Sequence, residues 1–260
     1  MEILSHMMNI KVKFKVNLTT YFFFLIAFLC GYFKNILMIF FLVFFHELGH
    51  LFFIKIFHYK MIKVEFYPFG GITEVDKPIN SSINKELLIS LGGIIFQAIL
   101  SFFLPYLPIS NKNYSLLSFY NKTLFWFNIL PIIPLDGSVF LHAFLEKFFA
   151  YKKSFYLYQV ISCVCFFLFF LYNILFSIDN YFICVVLFVQ FFLVQKKKKY
   201  FIHRFYLERF LYSFPYKKIQ NQNNGDISEL KKETRHFFYE KNRYKTEKEK
   251  IMEFFQKVKR

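Results

Sequence analysis

Ile36-Leu37-Met38-Ile39-Phe40-Phe41-Leu42-Val43-Phe44-Phe45-His46-Glu47-Leu48-Gly49-His50-Leu51-Phe52-Phe53-Ile54 is the stretch that decides how this chain folds. Ten unbroken apolar residues run into a His-Glu-x-x-His pattern, and four more apolar residues follow it. A helix of this length crosses a bilayer, so the pattern lies at membrane depth. On that helix His46 and His50 share one face, where two imidazoles bind one Zn²⁺ and Glu47 beside them reaches a water on the ion. An ionisable residue near the bilayer centre costs about 2.5 to 3.5 kcal/mol. An unemployed Glu47 is hard to accommodate there, and a metal site explains the pattern better than a buried structural polar cluster.

Composition points the same way. The chain has 43 Phe and 56% hydrophobic residues, more than a soluble domain of this length buries in one core. Compositional drift explains the Phe excess better than an aromatic ligand box does. Apolar stretches at 18–33, 36–57, 87–107, 116–133, 155–176 and 181–194 predict about six transmembrane helices. The expected class is therefore an all-α polytopic membrane protein.

Lysine placement tests the count, because cytoplasmic loops are rich in Lys and Arg. Lys11, Lys13 and Lys15 precede the first stretch, and Lys60, Lys63, Lys77 and Lys85 follow the second. Lys147, Lys152 and Lys153 follow the fourth, and Lys196 to Lys199 follow the sixth. The opposite loops hold Lys34, then Lys112 and Lys122, then Asp179 with no base. Both termini are expected in the cytoplasm. No small-residue cleavage site follows the first apolar run, so no cleavable signal peptide is expected. Cys30, Cys163, Cys165 and Cys184 lie in the apolar stretches without metal-ligand spacing and are expected to be small core residues.

A catalytic zinc needs a third protein ligand and one open position. At the end of the fourth stretch the chain reads Phe127-Asn128-Ile129-Leu130-Pro131-Ile132-Ile133-Pro134-Leu135-Asp136-Gly137. Pro131 and Pro134 break the helix there, and a turned chain can aim Asp136 back into the bundle. The competing reading is that Asp136 caps a following helix over 139–149. An alternating span around a turn-like Pro-Phe-Gly-Gly, residues 63–76, reads as a hairpin.

Taken together, His46-Glu47-Leu48-Gly49-His50, Asn128, Pro131, Pro134 and Leu135-Asp136-Gly137 resemble the site-2 protease family of intramembrane metalloproteases. More narrowly, Pro68-Phe69-Gly70-Gly71 and the stretch from Tyr200 to Arg209 resemble the sporulation subgroup of that family. Its members release sigma-K from its pro-form in endospore-forming bacteria. The likeness covers roughly residues 10 to 212.

By that resemblance His46, His50 and Asp136 are the zinc ligands, with one Zn²⁺ per chain, and Glu47 is the general base. Asn128 holds substrate or the developing oxyanion, although an Asn in a helix bundle is also a common structural hydrogen bonder. The 63–76 hairpin becomes a membrane-associated, re-entrant loop whose edge pairs with an extended substrate. The implied partners are pro-sigma-K, inhibitory membrane proteins and the lipid bilayer, in the mother-cell membrane around the forespore. Two other classes compete: a catalytically silent scaffold, and a divalent-metal transporter. The intact His46, Glu47, His50 and Asp136 speak against the first, and the scarcity of intramembrane carboxylates speaks against the second. A membrane family with Glu as third ligand fits less well, because Glu146 and Glu208 are not suitably embedded.

Three departures stand out. Ser138 takes the place of a second Gly, and Leu91-Gly92-Gly93-Ile94 lies where many relatives have Gly-Pro. Residues 1–212 make the expected protease domain, and 213–260 a charged cytoplasmic tail shorter than the subgroup's regulatory domain. Within that tail, 220–226 reads as a polar linker and 227–260 as one charged helix or a frayed end. Nucleotide control is accordingly expected to be weak or absent. From Lys196 onward lie 19 of the 33 Lys and Arg against 8 of the 17 acidic residues. Anionic lipid is the simplest partner for them, with an acidic protein substrate next and no specific nucleic acid.

Overall fold

The computed structural model describes residues 13–67, 70–176, 181–223, 225–240 and 243–258. Pro68, Phe69, Lys11, Asp179 and Asn224, used in the reading above, lie outside the described residues.

Each apolar stretch falls largely on a helix, although the first is interrupted at 30–32 and the fourth ends at Ile129 rather than 133. The helices are α1 (Leu18–Leu29), α2 (Phe33–Ile56), α3 (Ile83–Phe103, continued by a 3-10 turn Leu104–Tyr106), α4 (Asn111–Ile129), α6 (Tyr151–Phe176) and α7 (Tyr181–Leu211), with the short α5 (Asp136–Leu145) between α4 and α6. Among the described residues, three helical spans are long and apolar enough to cross a membrane: Phe33–Ile56, Ile83–Tyr106 and Tyr151–Ile174. Large apolar side chains such as Phe22, Phe41, Trp126, Phe167 and Phe192 stand exposed along these helices, as a lipid-facing surface requires.

The chain divides into two compact units, one of residues up to 77 with 88–128, the other of 78–87 with 129–260. In the first, Leu42 of α2, Leu100 and Leu104 at the end of α3, and Leu117 of α4 form an apolar core with Met38, Phe45 and Leu124. Polar links fix the same helices. Asn121 of α4, fully buried, donates through Nδ2 to Gln97 O at 3.1 Å and Ser101 Oγ at 2.7 Å. Asn35 Nδ2 donates to the Tyr120 hydroxyl at 3.0 Å. A hydrogen bond between apolar helices is the favoured way to place amides in such a core.

The expected hairpin is present as β2 (Lys60–Tyr67) and β3 (Gly70–Asp76), antiparallel from Lys60↔Asp76 to Tyr67↔Gly70 with a bulge between Met61 and Lys63. A third strand, β1 (Lys13–Val16), pairs parallel to β2 and was not expected. Its Lys-Phe-Lys-Val alternation is a strand pattern, and a lysine of the loop after α2 also serves in the sheet: Lys63 Nζ meets Glu65 at 2.7 Å.

The C-terminal reading is corrected. Residues 220–226 are not a linker, nor is 227–260 a single helix or frayed end. The chain forms β4 (Lys218–Asn223), a 3-10 turn (Ile227–Glu229), β5 (Thr234–Glu240), β6 (Arg243–Thr246) and α8 (Glu247–Val258). β4 pairs parallel and β6 antiparallel to the central β5. The physical reason is alternation within a charged stretch: Thr234, His236 and Phe238 point inward, and Phe238 joins Phe205, Tyr206, Ile227, Leu230 and Ile251 in one core. Arg209 of α7, 2% exposed, donates to Lys231 O at 3.0 Å and Thr234 O at 2.6 Å.

Candidate metal centre

His46 and His50 occupy the middle of α2, one turn apart. Their Nε2 atoms stand 3.1 Å from each other, with the rings inclined at 72°. Two nitrogens bound at 2.0–2.1 Å to one tetrahedral ion stand about 3.3 Å apart, so the pair is spaced for a shared metal. His46 is buried and His50 and Glu47 are half-buried.

The surroundings set the ring orientations. His50 Nδ1 is 2.7 Å from Ile89 O on α3. A carbonyl only accepts, so the Nδ1–H tautomer is enforced and the Nε2 lone pair is left for a metal, a common second contact of ligating histidines. His46 lies against Gly93: a β-carbon there would come within 2.3 Å of its ring.

Close helix approach makes this possible. A β-carbon at Gly49 would be 2.2 Å from Gly92 O, and one at Gly92 would be 2.6 Å from Gly49 O. α2 and α3 therefore touch backbone to backbone, as small residues permit in membrane helices. The consecutive Gly92 and Gly93 thus have distinct tasks: the first admits α2, the second admits the His46 ring. Sequence reasoning missed both tasks, and a double glycine inside an otherwise apolar helical run is the signal that marks them.

Asp136 belongs to the other unit, at the start of α5. α4 ends at Ile129, where the two prolines break the helix as expected. The chain then turns through Leu135 N to Ile132 O at 2.7 Å, and Ile133 N donates to Ser162 Oγ at 2.7 Å. Asp136 is the first helical residue rather than the cap: the cap position is Leu135, which makes no side-chain capping bond. The capping reading of Asp136 and the expected 139–149 span are therefore corrected, since α5 begins earlier and ends at Leu145. Gly137 has a tight place, because a β-carbon there would meet Ile129 O at 2.1 Å. Ser138, in place of the second Gly, is buried and donates through Oγ to Leu135 O at 2.8 Å.

Asn128 is half-buried near the end of α4 and donates through Nδ2 to Leu124 O at 3.1 Å. One of its two amide hydrogens is thus spent inside the helix, and the other remains available for a ligand.

His46 and His50 in the first unit each offer an imidazole nitrogen, and Asp136 in the second unit offers a carboxylate oxygen. Two imidazole nitrogens with one carboxylate oxygen form a donor set that zinc accepts, and three protein ligands leave the open position of a catalytic site. The four cysteines are free and none belongs to this group.

Comparison with known proteins gives a consistent picture. Residues 34–113 match the model of peptidase family M50. The chain is 31% identical over 189 residues to stage IV sporulation protein FB of Bacillus subtilis, covering 70% of this chain and 66% of that protein. It is 33% identical over 117 residues to zinc metalloprotease MJ0392 of Methanocaldococcus jannaschii, covering 42% of this chain and 33% of that one. Among solved structures it is similar to the site-2 protease from Methanocaldococcus jannaschii. There the TM-score is 0.52 at 27% identity, over 68% of this chain and 86% of that chain. The chain thus spans 66% and 33% of the lengths of the two curated relatives.

Proposed function

Because the chain belongs to peptidase family M50, the site-2 protease family, we propose that it is an intramembrane zinc metalloendopeptidase acting on a membrane-associated protein. The observation that carries this reading is the pair of imidazole nitrogens 3.1 Å apart on an apolar helix long enough to cross a membrane. Glu47 sits beside them in the sequence.

His46, His50 and Asp136 would hold one zinc. When bound, zinc polarises a carbonyl oxygen and lowers the pKa of water to about 7. Glu47 takes the proton of the attacking water and later gives it to the leaving amine nitrogen. Ile89 O keeps His50 in its ligating tautomer by accepting the Nδ1 hydrogen. Asn128 uses its second amide hydrogen on the substrate carbonyl as negative charge develops there. A helical substrate must unwind before its carbonyls are reachable, and the outer edge of β3 offers backbone groups to an extended segment.

α1, α2, α3, α4, α6 and α7 make six crossings in this reading. The lysine-rich loops then place both termini in the cytoplasm, and Lys196 to Lys199 meet anionic headgroups. The likeness to a stage IV sporulation protein supports pro-sigma-K as substrate, inhibitory membrane proteins as partners, and the mother-cell membrane around the forespore as location. Co-expression with pro-sigma-K in a heterologous host tests the substrate. A shortened product with wild type and none with Glu47→Gln is the expected result. Uncleaved pro-sigma-K alongside a zinc-loaded wild type would remove the sporulation assignment and leave the metal centre standing.

A further inference from the structure

Lys232 lies in the loop that leads into β5, with its side chain 2% exposed. Its ammonium meets Glu86 Oε2 at 2.9 Å and Glu146 Oε2 at 2.8 Å. The two carboxylate side chains are themselves 10% and 1% exposed. Burying ions carries a desolvation cost that only close and well-bonded partners offset. Here Ser81 Oγ also donates to Glu86 Oε1, at 2.5 Å, and His142 Nε2 lies 3.5 Å from Glu146 Oε1.

The three charges come from distant parts of the chain. Glu86 is in the first turn of α3, Glu146 is the C-cap of α5, and Lys232 belongs to the C-terminal segment. Each carboxylate sits on a helix that carries a piece of the candidate metal centre. Less than one turn beyond Glu86 is Ile89, whose carbonyl orients His50. Glu146 closes the helix that Asp136 opens, a segment only 10 residues long. A helix this short, roughly 15 Å, transmits a shift at one end to the other.

We propose that Lys232 is a positioning residue for the metal centre, and that through it the C-terminal segment sets both the Ile89 carbonyl and Asp136. The proposal rests on Asp136 being the third ligand. It makes residues 213–260 a working part of the protease core rather than an appendage.

The test uses the full chain purified in detergent, with zinc affinity measured by competition against a chromophoric chelator, alongside thermal unfolding and cleavage kinetics. Lys232→Met is expected to lose at least tenfold in zinc affinity and to unfold earlier, because two buried carboxylates lose their cation. The uncharged variant Lys232→Met/Glu86→Leu/Glu146→Leu is expected to regain thermal stability, since replacement of a buried ion set by apolar residues of similar volume is well tolerated. Its zinc affinity should stay at least tenfold weak, and its kcat low at unchanged KM. Lys232→Arg should recover most of the affinity. Wild-type affinity in Lys232→Met, or recovery of both affinity and kcat with stability in the uncharged variant, would overturn the proposal. Zinc binding by wild type that survives Asp136→Asn undiminished would instead defeat the ligand assignment, and the proposal with it.

Discussion

Gly93 and His46 are in such close register across α3 and α2 that a single methyl group at position 93 would lie 2.3 Å from the imidazole ring. Gly93→Ala therefore pushes the proposed ligand His46 aside without removing it. We expect zinc affinity to fall at least tenfold, while the helices still form because Ala favours helix over Gly. Chelator competition on the purified variant checks this. Unchanged affinity would mean that the ring does not sit where this packing puts it.

The Gly49 and Gly92 contact predicts a different failure. Added volume at either position meets backbone rather than a flexible side chain, so α2 and α3 must separate. Gly49→Leu or Gly92→Leu should destabilise by about 1–3 kcal/mol or more and also weaken zinc binding, since the His50 to Ile89 bond depends on the same approach. Thermal unfolding with and without added zinc reads both effects.

Glu47→Gln separates holding the metal from using it. The variant keeps His46 and His50, so zinc should stay bound while kcat falls about 10² to 10⁴-fold through loss of the general base. Single-turnover cleavage of a membrane-embedded peptide by the zinc-loaded variant is the measurement. Activity at the wild-type level would assign the proton transfers to another group.

His236 gives the C-terminal core a pH dependence. It is fully buried, and burial, with Arg209 and Lys231 nearby, lowers its pKa to about 4. Its Nε2 accepts from Lys231 N at 3.1 Å, a role only the unprotonated nitrogen can fill. The folded pKa lies below the unfolded value near 6.5, so the unfolded state binds the proton first. The stability from this group is complete above pH about 6.5 and is lost as pH falls toward 4, about 3 kcal/mol in all. Unfolding followed between pH 4 and 7 should show the slope, and His236→Gln should flatten it.

Much of the membrane core was legible from residues alone. The apolar run with His46 and His50 at one-turn spacing announced α2 and its paired imidazoles, and Pro131 with Pro134 announced the break before Asp136. Those signals are local, because helix period and proline chemistry act over a few residues. What escaped was non-local. The strand Lys13–Val16 earns its place only through pairing with β2. Lys232 finds Glu86 across 146 positions, and no spacing rule joins them. The C-terminal sheet was hidden because high charge suggested a solvated segment, while the alternation of Thr234, His236 and Phe238 carried the fold.

Zinc content of the purified chain and three variants is the most direct measurement of the central claim. The account predicts one zinc per chain in wild type and in Glu47→Gln, and loss of that zinc in His46→Ala and Asp136→Asn. A wild type without zinc after purification free of chelators, or equal zinc in His46→Ala, would contradict it.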